Sequence, residues 1–121
     1  MLDKRSLSLV IGLLTKTKEY GVNWQPTTSS NSFIVTSDDV TISISHGTDD
    51  NTDVGFVAIS LRDKLGKTMD NFWVEENEQE YKMMLELYTF ARRKANNVDE
   101  TMDSLIKKLS EGGEFGEKAS Y

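Results

Sequence analysis

Residues 79–95, QEYKMMLELYTFARRKA, carry the strongest helical pattern in the chain, and the reading of their faces decides how the rest is arranged. At about 100° per residue, Tyr81, Met84, Leu85, Tyr88, Ala91 and Ala95 recur on one side. A second apolar set, Met83, Leu87 and Phe90, lies beside them, which leaves Lys82, Glu86, Thr89 and Arg93 as the polar strip. A helix apolar over more than half its circumference needs cover on two sides. The spacing therefore predicts a sheet against one side and further helices, from this chain or a second copy, against the other.

The segments on either side support that arrangement. Before the helix, Phe33–Thr36, Val40–Ser45, Val54–Leu61 and Thr68–Glu75 read as strands, with Val22–Trp24 as a short fifth. Val40, Ile42 and Ile44 alternate with Thr41, Ser43 and Ser45, as in a strand with one buried and one wet face. Val57, Ile59 and Leu61 share a face, with Phe56 and Ala58 on the other; Phe72 and Val74 oppose Met69 and Trp73 in the same way. The links are short, Ser37–Asp39 and Asp63–Gly66 among them, so consecutive strands are antiparallel. Asn77 with Glu80 is the expected capping box of the 79–95 helix.

Two more helices frame this centre. Asp3 caps a first helix running to Tyr20, with Gly21 placed to end it. It too is two-sided: Leu7, Val10, Ile11 and Leu14 form one stripe, and Leu2, Leu9, Leu13 and Tyr20 another. After Asn96-Asn97, the residues Val98, Met102, Leu105, Ile106 and Leu109 recur at helical spacing until Gly112-Gly113. The expected fold is α+β: an N-terminal helix, an antiparallel meander of four to five strands, and two C-terminal helices packed on one face of the sheet. Residues 1–113 form the single domain, and 114–121, without a pattern, are expected to be a disordered tail.

A length of 121 residues suits one core. The absence of cysteine excludes disulfides, thiolate metal sites and thiol nucleophiles, and suits a reducing cytosol. Acidic residues outnumber basic ones 20 to 14, a balance that argues against nucleic acid as a partner. Lys4-Arg5 before LSLVIGLL has the start of a signal peptide, but no cleavage site follows, and the apolar run is too short to span a bilayer. The expectation is a cytoplasmic protein with no membrane partner.

Motifs with possible chemistry are weak. Gly66-Lys67-Thr68 resembles the end of a phosphate loop, but Leu61 stands where that loop needs glycine, and the tripeptide lies in a hairpin. Asp49–Asp53 offers alternating oxygen ligands, but Val54 and Ser60 replace the glycine and glutamate of a calcium loop. His46 is the only histidine, so it cannot form a histidine-pair zinc site, and it reads as an ordinary loop residue. Glu75, Glu76, Glu78 and Glu80 gather at a helix start, where the dipole favours acids. Arg92, at the edge of the apolar arc, reads as a residue of an interface or of a paired junction. No catalytic residue, metal ligand or cofactor is expected.

The chain resembles a loose group of small uncharacterised bacterial and phage proteins. The shared features are Leu13-Leu14-Thr15 with Gly21 and Trp24, the Asp63-x-x-Gly66 hairpin, Tyr81 with Leu87-Tyr88, Ala91-Arg92-Arg93, and Val98-Asp99-Glu100 followed by Asp103 and Leu105. The resemblance implies a bacterial or phage cytoplasm; no established activity attaches to the group, so no catalytic or binding residue carries over. A weaker likeness is to acidic secretion chaperones, which usually carry a helix between their strands.

The function expected is a non-enzymatic protein-binding module that forms a homodimer. One apolar stripe at 98–109 can cover one of the other helices but hardly both. Leu9, Leu13, Met83, Leu87 and Phe90, with Arg92, would then remain as an interface for a second copy. The alternative is a protein that binds or sequesters a small ligand in a pocket between sheet and helices.

Overall fold

A computed structural model describes residues 1–118 and shows an α+β fold of the expected order. Helix α1 (Lys4–Lys18) precedes strands β1 (Gln25–Pro26), β2 (Ser32–Ser37), β3 (Val40–Thr48), β4 (Gly55–Arg62) and β5 (Thr68–Glu75). Helices α2 (Tyr81–Ala95) and α3 (Val98–Ser110) follow. The sheet is a five-stranded antiparallel meander in chain order. Residues 119–121, part of the segment expected to be a disordered tail, lie outside the described residues; 114–118 are exposed.

Alternation fixes the register. Phe33, Ile44, Ile59 and Phe72 stand side by side across four strands, with Val57 and Val74 in the adjacent row. This is the face on which α2 lies, in contact with every strand. Its buried side chains are Met84, Leu87, Tyr88, Ala91 and Ala95. Leu87 therefore belongs to the core, and Leu85, expected at its centre, is only half-buried. Each fully buried side chain of this size contributes on the order of 1.5–3 kcal/mol relative to exposure.

Helix α1 packs on α2 and buries Val10, Leu14 and Thr17. Ile11, expected in that stripe, is exposed, because the stripe continues to Thr17 instead. Thr17 is the reason Trp24 can be buried: its Oγ1 accepts the indole N–H at 3.0 Å. Lys18, at the end of α1, pairs with Glu86 and lies over the Phe90 ring, so the end of α1 covers part of the second apolar set of α2.

Several local expectations are corrected. The residue in left-handed conformation after α1 is Tyr20, at φ 60°, not Gly21. Asp3 does cap α1, and the Ser6 N–H it accepts holds its carboxyl below the usual range. Asn77 does not cap α2; Glu80 precedes the helix, and its carboxylate accepts instead from the Leu2 N–H at 2.8 Å. The short first strand is Gln25–Pro26, while Val22 and Trp24 turn into the core.

Both sheet edges are blunted. β1 is two residues long and ends in proline. Just after β5, the Glu76 N–H donates to the Gly55 carbonyl at the start of β4, so alternate residues Asn71, Trp73 and Glu75 direct their backbone groups outward. The Asn71 N–H is taken by the Asp70 carboxylate at 2.9 Å, and the Glu75 N–H by that of Glu78 at 3.1 Å. Carboxylates thus occupy edge donors that another strand would need.

Candidate functional site

Of the six residues expected to form an interface, only Leu87 is fully buried within the single chain. Leu87 has no exposure there, so it cannot form part of an uncovered patch. Leu13, Met83 and Phe90 are half-buried against the core, and Leu9 is half-buried on α1. Arg92 is exposed on α2, and the paired junction forms at Arg93 instead, which bonds Asp99 across the turn into α3.

The uncovered apolar surface lies on α3. Asn97, left-handed at φ 52°, turns the chain out of α2. Asp99 and Glu100 then occupy the first turn of α3, and Lys107 and Lys108 the last, as the helix dipole favours. The helix touches α2 and has no buried residue. Met102, Leu105, Ile106 and Leu109 are 41–63% exposed. Between this helix and α2, an open groove of about 600 Å³ is lined by Tyr20, Phe90, Arg93, Met102 and Ile106 among others. Periodicity had marked all four apolar residues; the missing information was that α1, not α3, would cover α2.

A second hollow, of about 580 Å³, lies between α1 and the sheet and is lined by Leu13, Val22, Ile34, Val35 and Ile42, with Lys16 at its rim. It corresponds to the pocket between sheet and helices of the small-ligand alternative.

The remaining sequence motifs resolve into structural roles. Gly66, at φ 82°, turns the β4–β5 hairpin, where the Asp63 carboxylate accepts from Leu65 and Lys67 at 3.0 and 2.9 Å. The Asp49 carboxylate accepts from Asn51 and Thr52 and so orders its own loop. Among the described residues, no group of three or more metal-ligating side chains converges. His46 is not in a loop: it lies in β3, opposite Val57, with its Nε2 3.3 Å from the Tyr81 hydroxyl and its ring beside Tyr88. Burial, aided by the Glu76 charge, pushes the Tyr81 hydroxyl above its ordinary pKa; burial raises that of Tyr88, against the opposing charge of Arg92. These three side chains fasten α2 to the sheet end.

No helix is long and apolar enough to cross a membrane, among the described residues. Neither a protein family, a curated protein nor a solved structure matches this chain.

Proposed function

We propose that this chain is a non-enzymatic, cytoplasmic protein-binding module of bacterial or phage origin that works as a homodimer, with α3 as its self-association helix. The observation that supports this most is the open apolar face of α3, where four large side chains project from a helix with no buried residue. Monomers rarely leave such a contiguous patch in water. Val98, Met102, Leu105 and Leu109 follow a four-three-four spacing, the seam of a helix that pairs with another.

The charges favour a particular partner. The first half of α3 carries Asp99, Glu100 and Asp103, and the second half Lys107 and Lys108. A second copy of α3, laid antiparallel about a two-fold axis, sets each acidic half beside a basic half and covers both apolar faces. Sheet-edge pairing is the competing route to a dimer, and the two-residue β1 and the carboxylate-capped β5 work against it.

Light scattering across a concentration series tests the proposal. The unmodified chain should approach twice its 13.7 kDa mass, and Leu105→Lys with Ile106→Lys should stay monomeric at 13.7 kDa with unchanged circular dichroism. A monomeric unmodified chain at millimolar concentration would refute it. The small-ligand alternative is supported by the 580 Å³ hollow beside Leu13. A thermal-shift screen tests it, since a ligand bound only by the native state raises the melting temperature.

A further inference from the structure

The face of the sheet turned away from α1 and α2 consists mainly of small and polar residues. Ser43, Ser60 and Asn71 form one row, Ser45, Ala58 and Trp73 the next, and Gly47, Phe56 and Glu75 a third. Two aromatic rings interrupt it, and they have different causes. Phe56 lies over Gly47, where a Cβ would stand 2.8 Å from its ring, so it covers a cross-strand glycine. Trp73 covers nothing comparable. It is 57% exposed, opposite Ala58 and diagonal to Phe56.

Trp73, Phe56 and Ala58, with the carboxylates of Asp49 and Glu75, line an open hollow of about 350 Å³. Asp49 is held in place by its own loop, its carboxylate accepting from the Asn51 and Thr52 N–H groups. This composition selects the chemistry of an occupant. A neutral apolar group would desolvate two carboxylates without a partner, and an anion would be repelled by both. A cation is attracted by the faces of the rings and by the acids together. A planar guanidinium satisfies the two demands best, stacking on an indole while donating in its plane. Among the described residues, no lysine or arginine lines the hollow, and Arg62, the only one in the five strands, stands at the opposite end of β4.

We propose that this aromatic and carboxylate hollow docks an arginine side chain presented by a partner protein, on a surface separate from α3. The net charge of −6 adds a long-range attraction for such a segment.

The test is a ¹H–¹⁵N NMR titration of the full chain with the peptide acetyl-Gly-Arg-Gly-Arg-Gly-amide and with its citrulline counterpart, which has the same shape without charge. The arginine peptide should give saturable shifts confined to residues 47–49, 56–58 and 73–75, including the Trp73 indole. The citrulline peptide should bind at least about tenfold more weakly. Trp73→Ala and Glu75→Gln should each weaken binding by roughly three- to tenfold, with spectra otherwise retained, while Glu19→Gln on the distant end of α1 leaves it unchanged. Equal binding of the two peptides, shifts spread over the acidic surface without saturation, no shifts at all, or an unaffected Glu75→Gln variant would each overturn the assignment.

Discussion

Helices α2 and α3 are similar in length, adjacent in the chain and alike in apolar spacing, yet one is the centre of the core and the other contributes nothing to it. The 15 residues of α2 bury Met84, Leu87, Tyr88, Ala91 and Ala95, whereas the 13 of α3 bury none. Position explains the contrast. The short turn after β5 delivers α2 onto the inner face of the sheet, and α1 closes its remaining apolar side. By the time the chain reaches Asn97, much of that side of α2 is already occupied, and α3 touches α2 without burying any residue of its own stripe. Periodicity reports that a helix has a face needing cover; it does not report which neighbour arrives first.

The largest expected effects set the two helices against each other. Leu87→Ala should destabilise the chain by about 2–5 kcal/mol, as deletion from a closed core does. Leu105→Ala should cost no more than about 0.5 kcal/mol at concentrations where the chain is monomeric. Leu85→Ala, half-buried, should fall between them. Urea denaturation measures all three, and similar losses for Leu87 and Leu105 would erase the distinction.

A smaller effect probes how α1 is tied to the core. Thr17→Val retains the side-chain shape but leaves the buried Trp24 indole N–H without an acceptor, at a cost of about 1–3 kcal/mol. A variant as stable as the parent would mean that α1 is held by apolar contact alone.

The attachment of α2 to the sheet end predicts a pH dependence. Tyr81 and Tyr88 hold their protons more tightly folded than unfolded, chiefly through burial. Their contribution is therefore intact below the unfolded value of about 10 and is lost as pH rises through the higher folded values. Stability should fall from about pH 10 upward, and Tyr88→Phe should reduce that slope. The slightest effect is expected at the end of the chain: deleting residues 114–121 should change stability by no more than about 0.5 kcal/mol.

Much of the fold was legible in the sequence because strand alternation is a strict signal. Val57, Ile59, Phe72 and Val74 could point only one way once one face was buried, and the short links then imposed a meander. Helix faces were read less well, since a wide apolar arc admits several rotations. For that reason Leu87, expected in an interface, is fully buried, while Leu85, expected at the centre of the core, is only half-buried against it. Caps depended on distant partners: Glu80 serves Leu2, which no local pattern indicates. Of the hollow around Trp73, alternation showed only that Phe56 and Ala58 lie opposite Val57, and Trp73 opposite Val74; it did not indicate that this face is open to water. Its acidic rim required the loop at Asp49 to fold back beside β5.

The most direct test of the central claim, that α3 carries the self-association face while α2 is core, is amide hydrogen exchange measured at low micromolar and at millimolar chain concentration. Amides of α2 should be strongly protected and equal at both, because their cover comes from their own chain. Amides of residues 101–109 should be nearly unprotected in the dilute sample and markedly protected in the concentrated one. Protection of α3 that does not change with concentration, whether high or low, would contradict the account.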